Sequence, residues 1–118
     1  MKENVIKTKS FAFALRLIKL YQYLLVEKKE YILSKQLLRS GTFIGAMVRE
    51  AEQAESNPDF IHKLAIAQKE ANEAEYWIEL LYQSGYLYKQ QYESIFQDIT
   101  EIRKLLTSIL KTTKLKKT

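Results

Sequence analysis

The sequence predicts an all-α protein, an antiparallel up-and-down four-helix bundle, on three observations. Only three glycines and one proline punctuate 118 residues, too few for the many turns of a sheet protein. Apolar residues recur at intervals of three and four along most of the chain, which is the spacing of a helix stripe. Breakers and cap residues then divide the chain into four segments, and short connections between helices favour antiparallel neighbours at a low crossing angle.

The first helix is expected from about Ser10 to Glu30, with Phe11, Leu15, Ile18 and Leu25 on its core side and Leu17, Tyr21 and Leu24 widening the stripe. Ser34 is placed to cap the second, which runs through Leu37, Leu38, Ile44 and Val48 toward Glu55. Its interior Gly41 and Gly45 each cost about 1 kcal/mol relative to alanine, so packing must recover that loss. With Ser40 and Ala46 they mark a close helix contact. Asn57-Pro58-Asp59 opens the third helix, with Asn57 as cap, Pro58 in the first position and Asp59 in the first turn. Phe60, Leu64, Ala67, Ala71, Ala74, Ile78 and Leu81 carry its stripe, and Gly85 closes it. Its alanines allow close approach, while Phe60, Tyr76 and Trp77 supply bulk. The last helix is read from Tyr92, Ile95, Ile99, Ile102, Leu106 and Ile109.

At this length one domain is expected, residues 1–118, with short flexible basic ends. The absence of cysteine excludes disulfides and thiolate metal sites. The first residues lack an apolar targeting segment, and no stretch reaches the roughly 18 apolar residues of a spanning helix, so a cytoplasmic protein with no membrane partner is expected. Eight tyrosines are many for one small core. Tyr21, Tyr23, Tyr82, Tyr86, Tyr88 and Tyr92 would find room at helix ends or on a lateral surface that joins subunits.

Charge is uneven around a net of +5. Between 46 and 75, Glu50, Glu52, Glu55, Asp59, Glu70, Glu73 and Glu75 outnumber Arg49, Lys63 and Lys69; from Arg103 onward, Lys104, Lys111, Lys114, Lys116 and Lys117 stand with no acid. A basic tail can bind phosphate backbones through counterion release, with Lys2, Lys7, Lys9, Arg16 and Lys19 contributing if the termini lie close, or it can simply keep the chain soluble.

Catalytic chemistry finds little support. Di-iron bundles need Glu-x-x-His on two helices, whereas His62 is the one histidine and only Asp59-x-x-His62 resembles half of that motif. No Gly-x-Ser-x-Gly elbow occurs, and the spacing of Gly41 and Gly45 is neither a Walker nor a dinucleotide-binding motif. No cofactor, metal or enzymatic activity is expected. Glu50, Glu70 and Glu73 are better read as partners of Arg39, Lys63 or Lys69 that fix helix register.

The ordered combination of the Phe11 to Tyr21 segment, Gln36-Leu37-Leu38-Arg39-Ser40, Ile44-Gly45-Ala46, Glu50, Ser56, Asp59-Phe60, Lys63-Leu64, Ala67, Lys69-Glu70-Ala71, Glu73 and Tyr76-Trp77 resembles the four-helix-bundle proteins encoded within 23S rRNA intervening sequences, the S23-like family. Met47 and Ala51 stand where that family has asparagine and glycine, and Phe43 replaces a small or hydroxyl-bearing residue, which implies a more apolar local face. The resemblance implies antiparallel bundles assembled as homopentamers, and a kinship in fold with basic accessory proteins of retroelements. The leading functional expectation is a non-enzymatic oligomeric scaffold that binds RNA or a ribonucleoprotein through Arg103, Lys104, Lys111, Lys114, Lys116 and Lys117. The alternative is a protein-interaction module without nucleic acid. Arg39, Ser40, Gly41, Gly45, Glu50, Lys63, Glu70, Glu73 and Trp77 would position helices or subunits.

Overall fold

A computed structural model describes residues 2–117, with side chains over 5–115. Four helices follow one another: α1 (Lys2–Val26), α2 (Leu33–Glu52), α3 (Asn57–Gln83) and α4 (Lys89–Lys117). They form a bundle 49 Å long and 21 Å across. Cross-helix pairs give the direction of each neighbour. Lys7 meets Glu52, Lys63 meets Glu50 while Arg39 meets Glu70, Gln68 meets Thr107 while Arg103 meets Glu75, and Lys9 meets Glu101 while Arg16 meets Asp98. Each adjacent pair is thus antiparallel. α1 touches α2 and α4, α3 touches α2 and α4, and the pairs α1/α3 and α2/α4 stand on the diagonals.

α3 and α4 follow their predicted stripes. Leu64, Ala67, Ala71, Ala74, Ile78 and Leu81 are buried from α3, and Ile95, Ile99, Ile102 and Leu106 from α4, with Leu110 extending the last stripe where Ile109 is half-buried. α1 does not follow. It begins earlier than expected, ends at Val26, and buries Ile6, Ser10, Phe13, Leu17 and Leu24. Phe11, Leu15 and Ile18 are instead 50%, 50% and 42% exposed. The reason is the surface of α2. A Cβ on Gly41 would lie 1.9 Å from Leu17 Cδ1 and 3.3 Å from Phe13, and Gly45 faces Ser10, so the small residues of α2 receive the stripe that contains Phe13 and Leu17.

The helix ends show how local chemistry sets the turns. Ser34 does not cap α2; it lies inside the helix, and the cap is supplied by Glu30 from the preceding loop. The Glu30 carboxylate accepts from the backbone N–H groups of Ile32, Leu33 and Ser34 at 3.0, 2.9 and 2.6 Å, while the Ser34 hydroxyl donates to the Glu30 carbonyl. A negative group on the free amides of a helix start is favourable both as hydrogen bond and as charge. Burial pushes the carboxyl pKa up, but the amides of Leu33, Ser34 and Ile32 and the Ser34 hydroxyl outweigh it and hold Glu30 below its ordinary value.

α3 starts one residue from expectation. Ser56, not Asn57, is the cap and accepts from the Asp59 N–H, while the Asp59 carboxylate accepts from Glu55 N–H. The helix ends with Gly85 at φ +91°, where Gly85 N–H donates to Tyr82 and Tyr86 N–H to Leu81. That is a Schellman closure, and the left-handed residue it requires is glycine. α1 ends differently, with Lys29 at φ +56°. Gln91 reaches back to accept from Tyr88 N–H and closes the first turn of α4.

Candidate interaction surfaces

The residues expected to fix helix geometry come together. Arg39 of α2 pairs with both Glu70, at 3.4 Å, and Glu73 of α3, and Glu73 also accepts from the Trp77 indole N–H at 3.0 Å. The Trp77 hydrogen bond and then Arg39 hold the Glu73 carboxyl below its usual range against the effect of burial, and Glu73 in turn raises the Arg39 pKa. Lys63 pairs with Glu50 at 3.3 Å. Lys69, a sequence candidate for Glu73, is exposed, and Glu73 turns to Arg39 instead. Ser40 is fully buried, with its hydroxyl donating to the Leu37 carbonyl inside the helix. Gly41 and Gly45 lie at the α1 contact described above. Arg39, Glu50, Lys63, Glu70 and Glu73 thus tie α2 to α3, and Gly41 and Gly45 face α1, whereas the Ser40 and Trp77 hydrogen bonds stay within their own helices.

Near the ends of α2 and α3 an open cleft of about 400 Å³ is lined by Arg49, Glu50, Gln53, Glu55, Asp59 and Lys63. Glu50 pairs there with Lys63, the Asp59 carboxylate accepts from the Glu55 backbone N–H, and Arg49 lies over the Phe11 ring. Among the described residues no three His, Asp or Glu side chains converge as a metal cage would need, and His62 is exposed.

The basic residues divide. Arg103 is half-buried and bound to Asn72 at 3.0 Å and Glu75 at 2.9 Å. Lys7, Lys9 and Arg16 are held by Glu52, Glu101 and Asp98. Lys104, Lys111 and Lys114 are exposed on α4, and among the described residues no ion pair engages them or Lys19. The Lys116 and Lys117 side chains lie outside the described residues.

Aromatic residues gather where α3 passes into α4. Tyr82 and Tyr92 stack at 4.0 Å and 7°, Phe96 continues the row, and Lys28 sits 5.0 Å above the exposed Tyr88 ring. Burial, followed by the nearby Glu79 charge, raises the Tyr92 pKa. Of the positions that depart from the S23-like pattern, Met47 and Ala51 are buried as expected, whereas Phe43 is 38% exposed.

The surface that sequence reasoning missed is the outer side of α1. Phe11, Leu15, Ile18, Gln22 and Leu25 repeat at four and three residues on the side away from Phe13 and Leu17. Arg49 of α2 lies 5.2 Å from the Phe11 ring. Val26 and the following Tyr31 and Ile32 extend the exposed apolar surface at 64%, 58% and 73%. The sequence does carry this signal: two stripes with the same spacing share one helix, and a single partner can cover only one of them.

Fold and surfaces together define an antiparallel helical bundle braced by ion pairs between helices, with one apolar flank uncovered. Residues 2–108 match the family of 23S rRNA-intervening sequence proteins, and the chain belongs to that family. It is also similar to a crystal structure of a protein of unknown function from the S23 ribosomal protein family of Bacteroides thetaiotaomicron VPI-5482, at 61% identity and a TM-score of 0.93, over 94% of this chain and 99% of that one. No curated protein matches the chain. Among the described residues, no helix is long and apolar enough to cross a membrane.

Proposed function

We propose that this protein is a non-enzymatic scaffold that assembles with copies of itself through the outer face of α1 and presents the outer side of α4 to RNA or a ribonucleoprotein. The observation that carries the assembly is the exposure of Phe11, Leu15 and Ile18 along about two turns of one helix. A contiguous apolar stripe of this kind marks an interaction site on a soluble bundle. The resemblance set out from the sequence makes a pentamer the expected ring. Lys104, Lys111 and Lys114 are available to phosphate groups because no acid among the described residues neutralises them, and the family's description, tied to 23S rRNA, agrees with RNA as the polyanion. Arg103 leaves the list of phosphate contacts, since Glu75 and Asn72 occupy it.

Fluorescence anisotropy of a labelled structured RNA at low and near-physiological salt tests the reading. Saturable binding that weakens steeply with salt is expected, and replacing Lys104, Lys111 and Lys114 by glutamine should lower the salt slope by about 2. No binding at low salt overturns the RNA assignment.

A second reading, a protein-interaction module without nucleic acid, is favoured by the internal pairing of Lys7, Lys9, Arg16 and Arg103. It predicts a selective protein partner whose capture survives nuclease and moderate salt and is abolished by Ile18→Glu.

A further inference from the structure

The two connections at one end of the bundle, 27–32 between α1 and α2 and 84–88 between α3 and α4, lie side by side, since Lys28 sits 5.0 Å above the Tyr88 ring. Polar residues are enough to join helices, yet these turns hold Tyr31, Ile32 and Tyr88 out to solvent. In each turn a neighbour does the anchoring. Leu87 is buried beside Tyr88, and the Glu30 carboxylate next to Tyr31 caps α2. The two exposed rings are therefore not needed to hold the turns.

Cations surround those rings. Lys28 and Lys29 precede Tyr31, Lys35 follows it by about one helical turn, and Lys89 adjoins Tyr88. Among the described residues no ion pair engages any of the four. The acids in and beside the two turns are Glu27, Glu30 and Glu93. Glu30 is buried against the amides of α2, which leaves Glu27 and Glu93 exposed against four lysines. The neighbouring Tyr82 and Tyr92 do not belong to this surface: their rings cover one another at 4.0 Å, and Glu79 and Glu93 place negative charge near Tyr92.

An exposed aromatic face with a cation beside it suits an unpaired nucleotide, because the ring stacks on a base of any identity while the cation meets the phosphate. Tyr31 and Tyr88 both have that arrangement. Their lysines alternate with the rings along the turns, whereas a lipid-inserting surface gathers its apolar residues on one side and its cations on the other. We propose that this end of the bundle binds single-stranded RNA, with unpaired bases stacked on Tyr31 and Tyr88 and the phosphates between them met by Lys28, Lys29, Lys35 and Lys89. At the helical rise, Lys104 stands about 22 Å beyond Lys89 along α4, so this surface and the α4 lysines are separate contacts. The proposal rests on the RNA-scaffold reading above and adds unpaired nucleotides to what is bound: α4 meets a structured region through its backbone, and the paired turns meet a strand that leaves it.

The test titrates the full-length protein, by fluorescence anisotropy, against a labelled RNA strand of about 12 nucleotides without internal pairing and against the same strand in a blunt duplex. Tyr31→Leu combined with Tyr88→Leu removes both rings and keeps apolar surface; both side chains are exposed, so the fold is retained, which circular dichroism verifies. The expected result is tighter binding of the strand than of the duplex, with a loss of about tenfold or more in the double variant for the strand alone. Replacing Lys104, Lys111 and Lys114 by glutamine should weaken the duplex more than the strand. A strand bound equally well without the two rings overturns this site; duplex binding that still depends on the α4 lysines then leaves the scaffold reading standing. Ring-dependent binding of the strand with no binding of the duplex upholds this site and overturns the α4 assignment. Binding of neither RNA overturns both. Vesicles containing phosphatidylserine provide the remaining arm: if they bind, with or without the rings, and the strand does not, the surface is a lipid contact and the proposal falls.

Discussion

α1 and α3 are long helices of similar length, 25 and 27 residues, on opposite corners of the same bundle, yet they are built on different plans. α3 turns alanines and three large aliphatic residues inward, pairs Glu70, Glu73 and Glu75 with Arg39 and Arg103, and ends on a glycine suited to its turn. α1 has apolar residues on both sides and leaves through Lys29 in a left-handed conformation. The difference teaches that periodicity identifies a helix but ranks stripes only when the competing side is polar. On α3 that side carries His62, Lys69, Glu73 and Tyr76; on α1 it carries Phe11, Leu15 and Ile18.

The strongest way to break this comparison is to exchange the roles of two α1 leucines. Leu17, 1% exposed, should cost about 2–5 kcal/mol when cut to alanine, whereas Leu15→Ala should change bundle stability by about 0.5 kcal/mol or less and weaken assembly instead. Urea unfolding alongside light scattering reads both quantities. Equal losses of stability would mean that the two stripes are not distinguished by burial.

The α1 contact can be sharpened on its α2 side. Gly41→Ala places a methyl against Leu17, which is locked in the core, so overpacking should exceed the gain in helix propensity and leave a net loss of about 1–2 kcal/mol. Gly45→Ala meets Ser10 at an ordinary 3.4 Å and should be neutral or stabilising by up to about 1 kcal/mol. Thermal unfolding that moved both variants the same way would remove Gly41 as the element that selects the inner stripe.

The connections that follow the two helices give a pH-dependent contrast. Glu30 has a folded pKa below its unfolded value, so its contribution is fully present above about pH 4.3 and is lost as pH falls through the folded value. Glu30→Gln should cost about 1–2 kcal/mol at neutral pH, with the two stability curves converging in acid. A constant gap down to pH 2 would show that the charge is not what holds the start of α2.

The smallest effects concern the turn residues. Lys29→Gly should stabilise by about 0.5–1 kcal/mol because glycine adopts positive φ without strain, and Gly85→Ala should destabilise by about 1 kcal/mol for the converse reason. Denaturation midpoints shifting in the same direction would contradict the two backbone conformations.

Part of the pairing between helices was legible in the chain. The pairing of Arg39 and Lys63 with acids on the facing helix followed from charges at helix spacing, and the closure at Gly85 followed from one glycine after an apolar repeat. The Ser34 cap was misread because a hydroxyl near a helix start is the usual signal, whereas a glutamate reaching forward from a loop depends on how that loop folds. Arg103 looked like part of a basic tail because Asn72 and Glu75 are distant in sequence and adjacent only across α3 and α4.

By itself, then, the sequence determined four helices, their order and the inward stripes of α3 and α4, because in those segments a single apolar side leaves no competing arrangement. The tertiary structure decided which side of α1 is buried, which cations remain available and where the uncovered flank lies. Those outcomes depend on partners supplied by other helices: the bare backbone at Gly41 for Leu17, Glu75 for Arg103, and, for Phe11, only the Arg49 side chain at its edge, which leaves half of the ring exposed.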